Sequence, residues 1–277
     1  QNISMVTARL KLALYLDPEN HSARFFLAQS WFDLNQYSRA KKLLLSIDEN
    51  SIWALPALLL QNNIDIKTDN INLAIERFDE YVIHHPENAY LYKELGDLYR
   101  RHKKYKKAKR NYLEAKLRGF DTADLHRNLA ISYERLDEDP EAEIAFKAAL
   151  KRNPNDPFTL NYLGYWWAES GRNLDQAIRL IERAVRLRPN SGFFVDSLGW
   201  VHYQLGNYQT AVEFLEKATI LEPEDALIIS HLGDAYWQTK RYAEARFKWQ
   251  YAATLANDDN LLANIETKLT SGLSETE

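Results

Sequence analysis

The sequence predicts an all-α protein built from repeated helical units, and two observations carry that prediction. The first is composition: the 277 residues include 9 glycines and 8 prolines against 16 tyrosines and 7 tryptophans. Few turn residues and many aromatics favour helices over an assembly of short strands. The second is a period of 34 or 35 residues along the chain, which is typical of a repeated helix pair. An apolar fraction of 45% and a charged fraction of 27% exclude disordered and collagen-like classes.

The period is visible in a motif that begins with Leu and a small residue and in most copies ends in an aromatic. The motif occurs as LGDLY (95–99), LAISY (129–133), LGYWW (163–167), LGWVH (198–202) and LGDAY (232–236). Small residues follow each motif at two fixed spacings: Ala108, Ala142, Ala177, Ala211 and Ala245, then Ala115, Ala149, Ala184, Ala218 and Ala252. Prolines close several units: Pro86, Pro154, Pro189 and Pro223. Proline ends a helix because it has no N–H and its ring clashes with the preceding turn.

This pattern resembles the tetratricopeptide repeat, and the resemblance implies a right-handed superhelical solenoid of helix–turn–helix units. In the register that it sets, seven repeats span 21–54, 55–88, 89–122, 123–156, 157–191, 192–225 and 226–259. Residues 1–20 fit the second helix of a further repeat, whose first helix would precede residue 1. Residues 260–270 are predicted to form a capping helix and residues 271–277 a disordered tail.

The segment NYLGYWWAESG (161–171) crowds four aromatics around one glycine in a predicted helix. We interpret Gly164 as the point where the second helix of the repeat crosses closely, which offsets the roughly 1 kcal/mol of helix propensity that glycine loses. Trp167 takes a core position that tyrosine holds in other repeats. The other repeats have smaller side chains at the position of Trp166, and the repeat that contains Trp166 is one residue longer than the others. We therefore expect the extra residue to make room for the indole.

The repeat 55–88 departs from the pattern. Gln61 and Asn62 replace the Leu-Gly pair, and Asp65 replaces the aromatic. Three interpretations stay open: a drifted repeat, a joint between sub-arrays 1–54 and 89–270, or a docking surface.

The resemblance also implies a function, because the first helices of such repeats line a concave face that binds an extended peptide or a helix of a partner protein. In the last three repeats the inward positions combine aromatics with short polar groups: Phe158, Asn161, Tyr162, Tyr165, Phe193, Asp196, Trp200, Tyr203, Ser230, His231, Asp234 and Trp237. Aromatics beyond those that the core needs indicate a binding surface. The alternative is partial burial of these rings between adjacent first helices.

A second candidate surface is basic. Residues 89–122 carry eleven basic and four acidic residues, a net +7 against −4 for the whole chain. Inward positions of this repeat and the next give a predicted patch of Lys93, Arg100, Arg101, Arg127, Asn128 and Arg135, beside the run RRHKKYKKAKR (100–110). The patch predicts binding of acidic side chains or a carboxylate. The alternatives are a solvated face and, less favoured by the net charge, nucleic acid or anionic lipid.

Catalysis has little support in the sequence. The seven histidines are scattered, and no HExxH, phosphate-binding loop or GxGxxG occurs,. Without cysteine there is no thiolate site for a metal,, and we predict neither metal nor cofactor. No apolar run reaches the roughly 18 residues of a membrane span. The start QNISMVTARL lacks the charged and apolar regions of a signal peptide.

The blocks NYLGYWW (161–167) and DSLGW (196–200) are similar to a bacterial tetratricopeptide subfamily, many of whose members are exported. Some members are lipoprotein adaptors that recruit a C-terminal processing protease in the periplasm. The resemblance implies a non-catalytic adaptor with a protein partner, such as that protease, in the bacterial envelope. A cytoplasmic location and a self-assembling, homo-oligomeric scaffold are the alternatives.

Overall fold

The computed structural model describes residues 3–273, and within them the chain is all-α, with sixteen helices and no strand. The helices are α1 (Ile3–Leu16), α2 (His21–Asp33), α3 (Tyr37–Leu44), α4 (Ala54–Lys67), α5 (Ile71–His84), α6 (Ala89–Arg101), α7 (Tyr105–Leu117), α8 (Ala123–Glu134), α9 (Asp139–Arg152), α10 (Pro157–Glu169), α11 (Leu174–Leu187), α12 (Gly192–Gln204), α13 (Tyr208–Leu221), α14 (Ala226–Gln238), α15 (Tyr242–Leu255) and α16 (Asp259–Ser271). Across this part of the chain no helix has the length and hydropathy to cross a bilayer.

The chain divides into two compact units. The N-terminal unit comprises residues 1–121 with 135–137, and the C-terminal unit comprises 122–134 with 138–277. The division therefore falls after α7, whereas the sequence drew attention to a joint at the degenerate repeat 55–88. In each unit the helices pack in sequence, each second helix on the first helix of its own repeat.

Acidic or amide side chains start four of the first helices. Asn20 and Asn88 accept backbone N–H bonds at the starts of α2 and α6, and Asp156 and Asp225 do so at α10 and α14. Each satisfies a helix N–H that has no partner within the helix. These positions recur every 68 or 69 residues, so the repeat specifies where helices begin as well as where they pack.

The turn between the two helices of each repeat contains one residue in the left-handed backbone region. These residues recur at a spacing of 34 or 35: Asn35, Asp69, Lys103, Asp137, Gly171, Gly206 and Lys240. The next residue donates its N–H to a carbonyl five positions back, as Arg172 does to Trp167 at 2.8 Å, a bond that ends helices in this geometry. In the lengthened repeat the extra residue adds a second left-handed position, Asn173.

The recurring glycines of the first helices are sites of close contact. A Cβ at Gly233 would lie 2.5 Å from the Trp249 ring, and one at Gly199 would lie 2.6 Å from Leu215. At Gly164 the nearest atoms are Ile181 Cγ1 at 2.6 Å and a backbone carbonyl of α11 at 3.0 Å. Each of these glycines therefore lies under a large side chain of the second helix, and at Gly164 a backbone carbonyl of that helix lies close as well.

The C-terminal end of the fold is held by α16. Its Ile265 is fully buried, and Leu273 packs against the cluster of α13, α14 and α15. The tail predicted from residue 271 thus begins within the fold, because Ser271 ends α16 and Gly272 is buried. Residues 274–277 of that predicted tail lie outside the described residues.

The degenerate repeat replaces an aromatic with a buried ion cluster. Asp65 is fully buried, and its carboxylate lies 2.9 Å from Lys41 Nζ and 2.7 Å from an Arg77 guanidinium nitrogen. The same Arg77 nitrogen donates to Asn62 Oδ1 at 3.0 Å. A buried carboxylate requires such partners, and Lys41 and Arg77 supply them to Asp65.

Candidate partner-binding site

The twelve predicted groove residues lie on α10, α12 and α14, and the structure separates them into three classes by exposure. Two rings are exposed, Phe158 at 48% and Phe193 at 53%. Six residues are half-buried: Asn161, Tyr162, Tyr165, Trp200, Tyr203 and Trp237. Four residues are buried: Asp196, Ser230, His231 and Asp234. A partner on this face can therefore reach the first two classes directly but not the third.

The buried residues of α12 and α14 include a histidine–carboxylate pair. Asp196 and His231 are each 5% exposed, and Asp196 Oδ1 lies 2.9 Å from His231 Nδ1. The Trp200 ring stacks on the imidazole at 4.1 Å between centroids. It also stacks on Tyr203 at 4.7 Å, with ring planes 4° apart. The pair thus supports a stacked set of three rings, in which Trp200 and Tyr203 are half-buried and His231 is buried.

Two opposing effects act on the pKa of His231. Burial is the largest and lowers it, but the charge and hydrogen bond of Asp196 together with the charge of Asp234 outweigh burial and raise the pKa, while Lys268 lowers it,. The net result is a raised pKa, which favours imidazolium facing carboxylate. This arrangement is a buried ion pair that orients the imidazole.

The other two buried residues are tied to the capping helix. Lys268 Nζ lies 2.7 Å from Asp234 Oδ2 and 3.2 Å from Ser230 Oγ, and Trp249 Nε1 donates to Asp234 Oδ1 at 2.8 Å. Ser230 and Asp234 therefore join α14 to α15 and α16, and their prediction as groove residues needs correction. The repeat pattern gave no signal for Lys268, because it lies beyond the last repeat.

Trp237 is likewise covered by the chain itself. Its ring contacts Tyr242 at 4.6 Å and Trp249 at 5.3 Å between centroids. A Cβ at Gly272 would lie 2.2 Å from Trp237 Cζ2, so the backbone after α16 crosses the indole with no space between them. Trp237 thus belongs to the C-terminal cluster more than to a binding face.

Tyr162 is a further predicted groove residue that serves the core. Its ring stacks on the fully buried Phe146 of α9 at 5.4 Å, and its hydroxyl donates to Glu134 at 3.1 Å. Trp166 lies in the same cluster at 7% exposure, with the Arg172 guanidinium 4.7 Å from its ring centroid. Arg172 comes from the lengthened turn, where we expected the extra residue to accommodate this indole.

The predicted aromatics that remain accessible lie on α10 and α12. They are Phe158, Tyr165, Phe193, Trp200 and Tyr203, and we call this surface the aromatic face. The Arg188 guanidinium lies 4.9 Å from the Phe158 ring centroid, and Gln238 donates to the Tyr203 hydroxyl at 3.3 Å. These contacts fix rings that stay open to a partner on one side.

Two polar atoms at this face are shielded from water and have no hydrogen-bond partner among residues 3–273. They are Trp200 Nε1, a donor, and Asn161 Oδ1, an acceptor. Buried polar groups are nearly always paired in native proteins, and each unpaired group costs about 1–3 kcal/mol.

In the N-terminal unit the predicted basic patch is partly neutralised. Lys93 Nζ lies 2.9 Å from both Glu94 and Asp97, and Arg100 Nε donates to Tyr112 at 3.2 Å. Burial lowers the pKa of Lys93, but the two carboxylates outweigh it, so the pKa is raised and the ammonium stays charged. Arg101 is exposed. Arg135 is also exposed.

In the C-terminal unit the side chains of Arg127 and Asn128 make contacts within the fold and are not available to a ligand. Arg127 pairs with Asp124 and, at 2.9 Å, with Asp156. Asp156 also accepts the Thr159 N–H at the start of α10. Burial raises the pKa of Asp156, but bonds from Thr159 and Arg127 outweigh it and lower the pKa. Asn128 is 4% exposed, so neither side chain contributes an open carboxylate-binding group.

The helix pairs, the crossing glycines and the left-handed turns at one spacing define an α-helical repeat protein. Tetratricopeptide repeat is the family whose model matches residues 94–157, 168–226 and 197–260, more than half of the chain. The chain belongs to the tetratricopeptide repeat family. Its fold is therefore that of a protein–protein interaction scaffold. Groups of three or more His, Cys, Asp or Glu side chains that could hold a metal ion are absent from the described part of the chain.

Relatives and solved structures agree with that assignment. The TPR repeat-containing protein PA4667 of Pseudomonas aeruginosa is 26% identical over 153 residues, which are 55% of this chain and 26% of that protein. The chain thus spans about a quarter of that relative. A tetratricopeptide repeat protein from Parabacteroides merdae superposes with a TM-score of 0.74 at 13% identity, covering 91% of this chain and 99% of the other. YrrB, described as a TPR protein with an unusual peptide-binding site, superposes with a TM-score of 0.51 at 19% identity, covering 70% of this chain and all of YrrB.

Proposed function

We propose that this protein is a non-catalytic adaptor that binds an extended peptide or a helix of a partner protein on the aromatic face of α10 and α12. The observation that carries the proposal is the stack of Trp200 on Tyr203 and His231, held from below by the buried Asp196–His231 pair. Large rings fixed in advance lose little entropy on binding, and such rings dominate interface energies.

The chemistry of the face favours a polypeptide ligand. The half-buried rings of Tyr165, Trp200 and Tyr203 offer apolar faces to the side chains of a polypeptide,. The exposed rings of Phe158 and Phe193 extend the surface along the helix starts. The peptide-binding site named for YrrB agrees with a ligand of this kind, although the likeness to this chain is one of fold.

The partner we propose to test first is a processing protease of the bacterial envelope, because of the subfamily that the blocks at 161–167 and 196–200 resemble. A location in the periplasm belongs to the same proposal. Self-assembly through the aromatic face is the competing function, since the same exposed rings would be buried against a second copy.

The test compares a variant with Tyr165, Phe193 and Trp200 all changed to Ala against wild type in affinity capture from an envelope fraction. A matched control changes Phe247 to Ala, since that ring is 65% exposed on α15, away from the face. We expect wild type and control to retain a partner that the triple variant loses, while all three have the same circular dichroism.

Retention of the same proteins by the triple variant would overturn the assignment of the aromatic face. Light scattering over a concentration series measures the mass in solution and so tests self-assembly, the competing function. A mass that rises with concentration in wild type but not in the triple variant would show self-assembly in place of a peptide ligand.

A further inference from the structure

The second helix of the first full repeat is unusually short. α3 has 8 residues, whereas the second helices of the other six repeats have 13 or 14. At 1.5 Å per residue, about 8 Å of helix is missing. The chain instead forms turns over 45–53, where the Asp48 carboxylate accepts the Asn50 N–H at 2.8 Å. Such local bonds compete with helix continuation.

A pocket opens where α3 ends. It has a volume of about 290 Å³ and lies between α3, α4 and α5. Apolar side chains form most of its wall: Leu44, Leu45, Ile47, Ala54, Ala57, Leu58 and Tyr81. A cavity of about 150 Å³ holds benzene, so this pocket, called here the α3 pocket, has room for a leucine or isoleucine side chain.

Two carboxylates without an ion-pair partner in the described part of the chain lie on the rim of the α3 pocket. Glu49 and Glu80 line it and are exposed, and neither carboxylate has an ion-pair partner among residues 3–273. Arg77 and His84 line the pocket as well, and the Arg77 guanidinium is bound by Asp65 and Asn62. Burial, and then the charge of Glu49, raise the pKa of the Tyr81 phenol in the same wall. The rim therefore attracts a cation next to an apolar group.

Another repeat of this chain shows what a full-length second helix carries at its end. In the C-terminal unit α11 continues to Leu187, and its last turns carry Val185 between Arg183 and Arg186. Val185 packs against the cluster of Leu160, Ala184 and Phe194. A helical turn with an aliphatic side chain and flanking arginines is thus the element that α3 lacks.

We propose that the α3 pocket docks an amphipathic helix of a protein partner, which places an aliphatic side chain in the pocket and adjacent Lys or Arg side chains on Glu49 and Glu80. The docked helix takes the position of the missing turns of α3 and covers Leu45, which is 66% exposed. This surface is separate from the aromatic face and lies wholly in the N-terminal unit.

The test uses a stapled, fluorescein-labelled peptide with the sequence of residues 178–188, IRLIERAVRLR, and the full 277-residue chain. A staple is needed because a helix of this length is marginal alone in water. Fluorescence anisotropy measures binding to wild type, to Leu45→Glu, to Glu49→Lys/Glu80→Lys, and to the control Glu76→Lys. Glu76 is exposed on α5 but does not line the pocket.

We expect both pocket variants to bind at least tenfold more weakly, with the control unchanged and binding to wild type reduced by added salt. A peptide with its arginines changed to Glu should not bind wild type. The Trp200→Ala variant should bind like wild type, which separates this proposal from the one for the aromatic face. Absence of binding to wild type, or equal binding to all variants, would overturn the proposal. A concentration-dependent mass that Leu45→Glu abolishes would assign the pocket to a second copy and overturn the partner helix.

Discussion

The buried pair beneath the aromatic stack makes a prediction whose sign depends on pH. Changing Asp196 to Asn removes a carboxylate that lies 2.9 Å from His231 Nδ1 on a side chain that is 7% exposed. The pKa of His231 is raised in the folded state. The stabilisation that the pair provides is therefore fully present below the unfolded pKa of about 6.5 and is lost as pH rises through the folded pKa.

The magnitude follows from the geometry. Breaking a buried pair by removing one partner costs about 3–5 kcal/mol, but Asn keeps the shape and an acceptor oxygen. We expect a loss of about 2–3 kcal/mol at pH 5.5, the range of a hydrogen bond to a charged group. By pH 9 the loss should fall toward about 1 kcal/mol, the value of a neutral bond. At roughly 2–4 °C per kcal/mol for a unit of this size, the Tm should fall by about 5–10 °C at pH 5.5.

The assay is thermal unfolding followed by tryptophan fluorescence at several pH values. Trp200 is a local reporter, because it stacks on the imidazole at 4.1 Å. An NMR titration of His231 in both proteins should show a pKa below its ordinary value in the variant, where burial is no longer opposed by Asp196. The control His231→Gln removes the imidazole, whereas Asp196→Asn keeps it. The difference in unfolding free energy between these two variants should therefore change with pH. A loss that is constant with pH, or larger at pH 9 than at pH 5.5, would refute the reasoning.

Three further predictions test the packing of the C-terminal unit by thermal or urea unfolding. Gly199→Ala should cost about 1–3 kcal/mol, because its Cβ would lie 2.6 Å from Leu215; a stable variant would show that α13 can shift freely. Lys268→Met should cost about 3–5 kcal/mol, because it leaves the Asp234 carboxylate buried at 3% exposure without its cation, and hydrogen exchange should rise first in α16. Trp166→Ala should cost about 3–5 kcal/mol, and an unchanged Tm would end the idea that the lengthened turn accommodates this indole.

The repeat could be predicted from the sequence because its determinants are local. Glycine at four of the helix crossings, alanine on the second helix and proline after several units act within one unit, so a fixed spacing reveals them. The left-handed turn residues were missed, although they share the period. Lys103 and Lys240 seldom adopt that conformation, and sequence signals for such turns depend on glycine and asparagine.

The candidate site was predicted only in part. Repeat positions indicate which side of a first helix faces inward, and Trp200 and Tyr203 are half-buried aromatics on α12. The same positions assigned Ser230 and Asp234 to the groove. Both are covered, because Lys268 of α16 binds them. A capping helix lies outside the repeat, so periodicity carries no information about what it covers.

The sequence by itself determined the family, the helix pairs and the positions of the crossings, since these depend on spacing within about 35 residues. Only the tertiary structure decided which aromatics are open, which charges are paired and where a pocket remains. Those features depend on side chains that meet across repeats, such as Asp196 with His231, 35 residues apart, or on a helix that stops early, such as α3. The free energy of a ring or a charge depends on what surrounds it in space, and periodicity does not record that.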